Sequence, residues 1–204
     1  DVLTFTPSWV VDFTNAGVLE PLNPYMDQYL NKADLDDFLP FYAEEGYARL
    51  GDTWYGFPDD GDMFVLYYRK DLFEDETNRS EFKAQYGYDL QPPVTLQQFN
   101  EIGSFFTDKY APDLYGGAIQ RSEQLFHWFY GPFSGAGGQF FDPQTMEPGI
   151  NSAAGVEVMT QLAQTNAWMP PDVATYDIIT VMEDWMAGKL AMMITWPPFG
   201  RWSE

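Results

Sequence analysis

The sequence predicts an α/β fold with largely parallel sheets, because segments typical of strands alternate with segments typical of helices along the whole chain. The chain has 204 residues, of which 45% are apolar, so it can bury a core and differs from a disordered acidic tail. No internal repeat, low-complexity tract or polar linker interrupts the alternation. Length and pattern together indicate one or two domains.

The first segments are predicted to form a strand followed by two helices. Residues 1–6 have the pattern of a strand, and residues 9–16 that of a short helix. That helix is expected to end at Gly17, because glycine readily adopts the left-handed conformation of a helix end. Asn23 followed by proline predicts an N-cap and the start of a helix that runs to Leu30.

The next segments are predicted to form a helix, a hairpin and a strand. Residues 36–37 are two aspartates that can cap a helix, and the aromatic residues expected to share its face are Phe38, Phe41 and Tyr42. Gly51 and Asp52 between β-prone residues predict a hairpin over residues 49–56. The continuous apolar run at 63–68 is typical of a strand buried on both faces.

The second half of the chain contains further helix starts separated by short strands. Thr95 with Gln98 forms a capping box for an amphipathic helix through Tyr110. Residues 115–119 are predicted to form a short strand, and Ser122 to cap the helix that follows.

The last predicted elements are two helices and a strand. Asn151 is predicted to begin one helix and Asp177 another, which ends at Gly188, and residues 190–195 form the final strand. The residues of the first of these helices expected to face inward are Val156, Met159 and Leu162. The methionines expected to fill the core are Met182, Met186, Met192 and Met193.

Charge and composition exclude several classes of function. The formal net charge of −21 argues against binding to nucleic acids or anionic membranes, which requires clustered lysine and arginine. The absence of cysteine excludes disulfides, thiolate metal sites and a cysteine nucleophile. His127 is the only histidine and is interpreted as a packed helix residue, so neither a zinc site nor a Ser-His-Asp triad is predicted. The acidic loop at 59–62 lacks EF-hand spacing, and we expect no metal or cofactor.

The chain shows no segment that would direct it to a membrane. No apolar run approaches the roughly 20 residues of a spanning helix, and no signal peptide is visible. Both ends are interpreted as cuts through a larger protein. Any localisation signal of the protein is therefore expected to lie outside this sequence.

Short segments of the chain match one protein family in order and spacing. The matching segments are residues 1–9, 17–22, 55–73, 93–99 and 188–196. Together they resemble family 1 extracellular solute-binding proteins, which include the maltose-binding and other sugar-binding proteins of ABC importers. The segment at 93–99 resembles the start of a family helix, with Leu96 in place of the usual tryptophan.

This resemblance implies a two-lobed periplasmic binding protein fold of the type II-like class. Two α/β lobes would be joined by hinge strands and would close around a ligand in the cleft between them. Residues 1–66 would form part of the N-terminal lobe, residues 67–189 the C-terminal lobe, and residues 190–204 a hinge strand and the return toward the N-terminal lobe. Compared with a full member, the chain is expected to lack the opening strand and helix and a long C-terminal part.

A sugar site needs aromatic faces for the C–H surface of the ring and polar groups for its hydroxyls. Aromatic residues make up 18% of this chain. The resemblance places first-lobe contacts at Ser8 and Trp9, although Trp9 would also suit a partly buried helix start. Asp62 precedes the hinge strand where relatives often place a sugar-pairing carboxylate; otherwise it is a solvated loop aspartate.

Four further candidates lie in the second part of the chain. Glu123 resembles a sugar-contacting glutamate of maltose-binding relatives, although a carboxylate at a helix start is also favoured by the helix dipole alone. Arg121 is a neighbouring candidate. Trp196 resembles an aromatic residue that stacks on sugar in relatives. Without that resemblance, it would be interpreted as a core tryptophan. Phe199 is the alternative candidate for the stacking role.

The function implied by the resemblance is that of the extracytoplasmic substrate-binding component of an ABC importer. It would bind a neutral sugar or oligosaccharide and present it to the membrane subunits of an ABC permease, as a monomer without enzymatic activity. It would be periplasmic or extracellular. Whether it also carries a lipid anchor stays open. Two alternatives also stay open. One is a stand-alone carbohydrate sensor or lectin. The other is a glycoside hydrolase with paired carboxylates, for which Asp62 and Glu123 could face each other, although nothing in the sequence singles out that pair.

Overall fold

The computed structural model describes residues 1–43, 46–122 and 125–202. The chain divides into two compact units, Asp1–Asp62 and Met63–Glu204. The lobe boundaries predicted at residues 66 and 189 stay a prediction. Within the described ranges, no helix has both the length and the apolar character needed to cross a bilayer.

The first unit consists of short helices and one hairpin. Its elements are α1 (Val10–Asn15), α2 (Asn23–Tyr29), α3 (Lys32–Asp36), β1 (Arg49–Leu50) and β2 (Thr53–Trp54), with 3-10 turns at Pro7–Trp9 and Pro40–Ala43. β1 pairs with β2 in antiparallel fashion around Gly51, whose φ of 58° is in the left-handed region. The predicted hairpin is therefore confirmed.

Two predictions for the first unit are wrong. Residues 1–6 form no strand, because no neighbouring strand among the described residues supplies hydrogen bonds for them. The aspartates at 36–37 do not begin a helix, because Asn31 caps α3 instead and accepts a hydrogen bond from the backbone of Ala33 at 3.1 Å.

The N-cap expected at Asn23 is also wrong, since Asn23 is the first residue of α2 and does not cap it. Its side-chain amide instead accepts a hydrogen bond from the backbone of Trp54 and donates one to the carbonyl of Asp52, each at 2.8 Å. Asn23 therefore fixes α2 to the β1–β2 hairpin.

The second unit contains longer helices around one antiparallel strand pair. Its elements are β3 (Val65–Tyr68), α4 (Lys70–Glu74), α5 (Glu76–Tyr86), α6 (Leu96–Tyr110), α7 (Leu125–Gly135), α8 (Ala153–Gln164), α9 (Ile178–Met186), β4 (Met192–Thr195) and α10 (Pro198–Trp202).

Side-chain caps begin several helices of this unit, largely as predicted, whereas α4 has none. Thr95 accepts from the backbone of Gln98 at the start of α6, and Asp177 from that of Thr180 at the start of α9. α8 is capped by Ser152, one residue later than the predicted Asn151. The helix predicted to follow a cap at Ser122 would begin at residues 123–124, which lie outside the described residues.

The prediction of largely parallel sheets is wrong for the strand pairs of the described chain. β3 and β4 are antiparallel, with Val65 opposite Thr195. Parallel pairing is limited to single bridges from Tyr115 to Leu190 and from Ala118 to Met193, where a strand was predicted. Gly116 interrupts that segment, and its backbone packs so closely on the carbonyl of Gly103 that a Cβ would overlap it.

β4 is the buried strand of the second unit. Met192 and Met193 are fully buried in its main core, as expected for core methionines, and Met182 is buried beside them. β3 is only half-buried, so the prediction that its run is buried on both faces is wrong.

Three apolar residues that were predicted to be inside are exposed. They are Val156, Met159 and Met186. The buried face of α8 is instead centred on Val158, which packs with Phe129 and Phe133 in a smaller second cluster. Of the residues predicted to face inward on α8, only Leu162 packs against this cluster, so the prediction is confirmed for Leu162 and wrong for Val156 and Met159.

Candidate functional site

An aromatic cluster lies at one end of the β3–β4 pair and consists of Phe64, His127, Trp128 and Trp196. The ring centroid of Phe64 lies 4.3 Å from that of Trp128 and 5.1 Å from that of Trp196. The two tryptophan rings are 5.6 Å apart at an angle of 68°. His127 lies against the edge of Phe64 at 6.4 Å.

Strand register brings the members of this cluster together. Phe64 directly precedes β3 and Trp196 directly follows β4, and the pairing of Val65 with Thr195 places both at the same end of the ladder. Side chains alternate between faces along a strand, so the two rings project to the same face. Trp128 reaches this face from α7.

A hydrogen-bonded turn fixes the chain immediately after β4. The hydroxyl of Tyr67 lies 2.8 Å from the carbonyl oxygen of Pro197 and 3.1 Å from that of Trp196, and it donates to this pair. The same hydroxyl accepts a hydrogen bond from the backbone of Gly200 at 3.0 Å. Tyr67 therefore positions the backbone that carries Trp196.

The cluster offers ring surface at its rim and a polar donor at its base. Phe64 is 36% exposed, Trp196 is half-buried and His127 is exposed. Trp128 is only 5% exposed, and its indole Nε1 has no hydrogen-bond partner among the residues that the structure describes. Partly exposed tryptophan and phenylalanine rings are suited to stacking against the apolar face of a ligand.

A cavity of about 590 Å³ adjoins the same face of the β3–β4 pair. Leu66 and Ile194, which are opposite one another in the ladder, line it together with Pro132 of α7. Its polar lining comes from side chains such as Gln97 and Gln161. The cavity is lined mainly by aliphatic groups, so ring stacking is offered by the aromatic cluster and not by the cavity.

The predicted residues of the first unit are exposed. Ser8 and Trp9 belong to the 3-10 turn that leads into α1, and the Trp9 ring packs on Phe13 at 5.7 Å while about half of its surface stays open. Asp62 is exposed at the end of the unit. Partial desolvation and the neighbouring charge of Asp60 raise the pKa of Asp62 above its usual value.

Arg121 is held by the interior of the second unit. Its guanidinium donates to the hydroxyl of Thr165 at 2.5 Å and approaches the sulfur of Met169 at 3.5 Å. Burial lowers the pKa of Arg121, and it forms no ion pair within residues 1–43, 46–122 and 125–202. These contacts anchor the Arg121 side chain within the second unit, and its role as a ligand contact stays a prediction.

The remaining two candidates differ in what the structure describes. Phe199 is 6% exposed, belongs to the main core and packs against Trp202 at 5.0 Å, so it offers little surface to a ligand. Glu123 lies outside the described residues.

No group of three or more metal-ligating side chains occurs in the described part of the chain.

The sequence predicted Trp196 as a candidate ligand contact but did not predict its neighbours Phe64 and Trp128. Phe64 directly precedes the apolar strand at 63–68, and the pairing of this strand with the predicted strand at 190–195 was not assigned from the sequence. An antiparallel pairing of the two strands would have placed Phe64 beside Trp196. Trp128 lies in a run of aromatic residues in which the sequence alone does not distinguish core from surface.

The chain matches the family model of the bacterial extracellular solute-binding proteins over residues 1–201. The protein therefore belongs to this family, and the membership predicted from its resemblance to family 1 is confirmed. The maltotriose-binding protein of Pyrococcus abyssi is 23% identical to it over 197 residues, which cover 97% of this chain and 37% of the relative.

Solved structures share its fold. An ABC transporter solute-binding protein from Agrobacterium radiobacter, solved in complex with ribitol, is 24% identical with a TM-score of 0.71, and the match covers 95% of this chain and 45% of that one. A solute-binding protein from Thermotoga lettingae with bound tagatose is 19% identical with a TM-score of 0.71, covering 97% and 48%. The α/β class of the binding-protein fold is thus confirmed, and the chain spans less than half the length of these relatives.

Proposed function

We propose that this chain is part of the extracytoplasmic substrate-binding component of an ABC importer and that it binds a neutral sugar or oligosaccharide. The aromatic cluster around Trp196 carries this proposal, because its open rings can stack on the C–H face of a sugar ring. Membership of the solute-binding family supports a transport role. The named relatives, which bind maltotriose, ribitol and tagatose, support a carbohydrate or polyol ligand.

Charge supports a neutral ligand over an anionic one. A net charge of −21 repels anions, and the guanidinium of Arg121 is engaged with Thr165 inside the second unit. Binding would involve no bond making or breaking. The protein would act as a monomer and deliver its ligand to permease subunits in the membrane.

The candidate residues receive different roles in this proposal. Trp196 is the main stacking residue, with Phe64 beside it, whereas the buried Phe199 is better explained as core. Ser8, Trp9 and Asp62 of the first unit and Glu123 stay predicted ligand contacts. Arg121 would support the second unit from within.

The test is calorimetric titration of the full-length protein with neutral mono- and oligosaccharides, combined with product analysis of the same samples. We expect saturable binding of at least one sugar, which is recovered intact. Trp196→Ala should weaken that binding about tenfold or more, since it removes the stacking face. Trp202→Ala is the matched control, because Trp202 is an exposed tryptophan of the same unit outside the aromatic cluster.

Two results would contradict the proposal. Cleavage of the sugar would indicate a hydrolase. Equal affinities of the Trp196 and Trp202 variants would show that the cluster does not form the site.

A further inference from the structure

Exposed aromatic rings continue beyond the aromatic cluster along α7. Phe126 and Tyr130 are separated by four residues and therefore share a helix face, with ring centroids 6.0 Å apart. They are 56% and 50% exposed. Phe140, from the segment after α7, packs on both rings at 5.2 and 5.6 Å, and its plane lies within 4° of that of Tyr130.

These rings are continuous with the cluster at the end of the β3–β4 pair. His127 links the two groups, because its ring lies 6.4 Å from that of Phe64 and 6.2 Å from that of Phe126. Trp196 lies at one end of the path and Phe140 at the other. We call this path the aromatic strip; its members are Phe64, Phe126, His127, Tyr130, Phe140 and Trp196.

The strip is longer than a single sugar ring requires. Each step from one ring centroid to the next measures between 5.1 and 6.4 Å, which is similar to the length of one pyranose unit. One monosaccharide could cover the rings at the Trp196 end only. Phe126 and Tyr130 would then make no contact with the ligand, although contiguous apolar patches on a surface usually mark a binding site.

The strip is also free of formal charge in a strongly acidic protein. Residues 125–141 contain no Asp, Glu, Lys or Arg, whereas the chain as a whole has 31 acidic and 10 basic side chains. His127 and the hydroxyl of Tyr130 supply polar groups at the rim of the rings. Uncharged aromatic faces beside hydroxyl and imidazole groups match the alternating C–H and hydroxyl surfaces of a neutral sugar chain.

We propose that the ligand is a neutral oligosaccharide that extends from Trp196 along Phe64 and His127 to Phe126 and the Tyr130–Phe140 pair. At one sugar unit per ring step, a ligand that covers this path has more than three units. This inference rests on the proposed function and narrows its substrate class from sugars in general to oligosaccharides. The rings over α7 add affinity only when the ligand is long enough to reach them. Affinity should therefore depend on chain length in a way that these residues control.

The test compares ligand length and ring removal in the full-length protein. Gluco-, xylo-, manno- and galacto-oligosaccharides from mono- to pentasaccharide are titrated calorimetrically into the wild type, Phe126→Ala and Tyr130→Ala. We expect affinity in one series to rise with length beyond the disaccharide. Each variant should bind the longest sugar of that series about tenfold more weakly and the shortest bound sugar unchanged.

Two further variants separate stacking from general surface effects. Tyr130→Phe keeps the ring and should retain the length dependence, because stacking requires the face and not the hydroxyl. Phe141→Ala removes an exposed ring next to the strip and should leave all affinities unchanged. Melting temperatures of the alanine variants should fall by only a few degrees, since the truncated rings are about half exposed, and Tyr130→Phe should match the wild type.

The outcomes separate this inference from the function on which it rests. If sugars bind but affinity does not rise with length, or if the variants lose affinity equally for short and long sugars, the oligosaccharide inference is wrong and the sugar-binding function stands. If no sugar binds at any length, both fail. If Phe126→Ala and Tyr130→Ala bind long sugars as tightly as the wild type, the rings over α7 do not contact the ligand and the oligosaccharide inference is wrong.

Discussion

A single hydroxyl group supports the position of the main candidate stacking residue. Tyr67 is not part of the aromatic cluster, yet its hydroxyl holds the carbonyls of Trp196 and Pro197 at the end of β4. Removal of this hydroxyl in Tyr67→Phe should cost about 1 kcal/mol in the free energy of unfolding, the usual value of such a hydrogen bond. Sugar affinity should fall as well, because the backbone of Trp196 loses its anchor.

The neighbouring residue in the same strand provides the control for this prediction. Tyr68 projects to the opposite face, is partly exposed, and its hydroxyl makes no hydrogen bond to the described residues. Tyr68→Phe should change neither the denaturation midpoint nor the calorimetric affinity. Similar losses in both variants would show that the Tyr67 contacts do not position Trp196.

The packing of α6 on Trp168 depends on a glycine in α6. Gly103 faces Trp168, and a Cβ at this position would lie 2.5 Å from Cδ2 of the indole ring. Trp168 cannot move away easily, because it is buried and its Nε1 donates to Asn100 at 2.8 Å. Gly103→Ala should therefore destabilise the protein, since overpacking costs about 1–3 kcal/mol and exceeds the gain of about 1 kcal/mol in helix propensity.

Gly135, at the end of α7, is the matched helical glycine for this test. A Cβ there would meet nothing within 4 Å. Gly135→Ala should leave the free energy of unfolding unchanged or raise it by up to about 1 kcal/mol in urea denaturation. If both alanine variants behave alike, the close packing of α6 on Trp168 is not a constraint.

The same elements show which features a sequence can predict. Helix starts at Thr95 and Asp177 were predictable, because capping is a local interaction between residues three positions apart. The antiparallel pairing of β3 with β4 joins segments more than 120 residues apart, for example Val65 with Thr195, and no local pattern encodes it. The candidate site depends on this pairing. Family resemblance made Trp196 a candidate, whereas Phe64 and Trp128 became candidates only from the structure.

At the scale of the whole molecule, excess negative charge opposes folding. The 10 basic side chains can pair with at most 10 of the 31 acidic ones, so at least 21 carboxylates have no cation of their own. Cations such as Lys83, Lys109 and Lys189 already pair with nearby carboxylates. Compaction brings the remaining like charges together, and this repulsion lowers the stability of the folded chain.

Added salt should therefore stabilise the protein by screening this repulsion. The Debye length falls from about 30 Å at 0.01 M to about 3 Å at 1 M, so the melting temperature should rise across this range of NaCl. Each kcal/mol gained would raise it by about 2–4 °C for a chain of this size. KCl should act equally, because the effect depends on ionic strength and not on a bound ion. A melting temperature that ignores salt, or that responds to only one of the two cations, would contradict charge repulsion as the dominant electrostatic effect and point to specific pairing or ion binding.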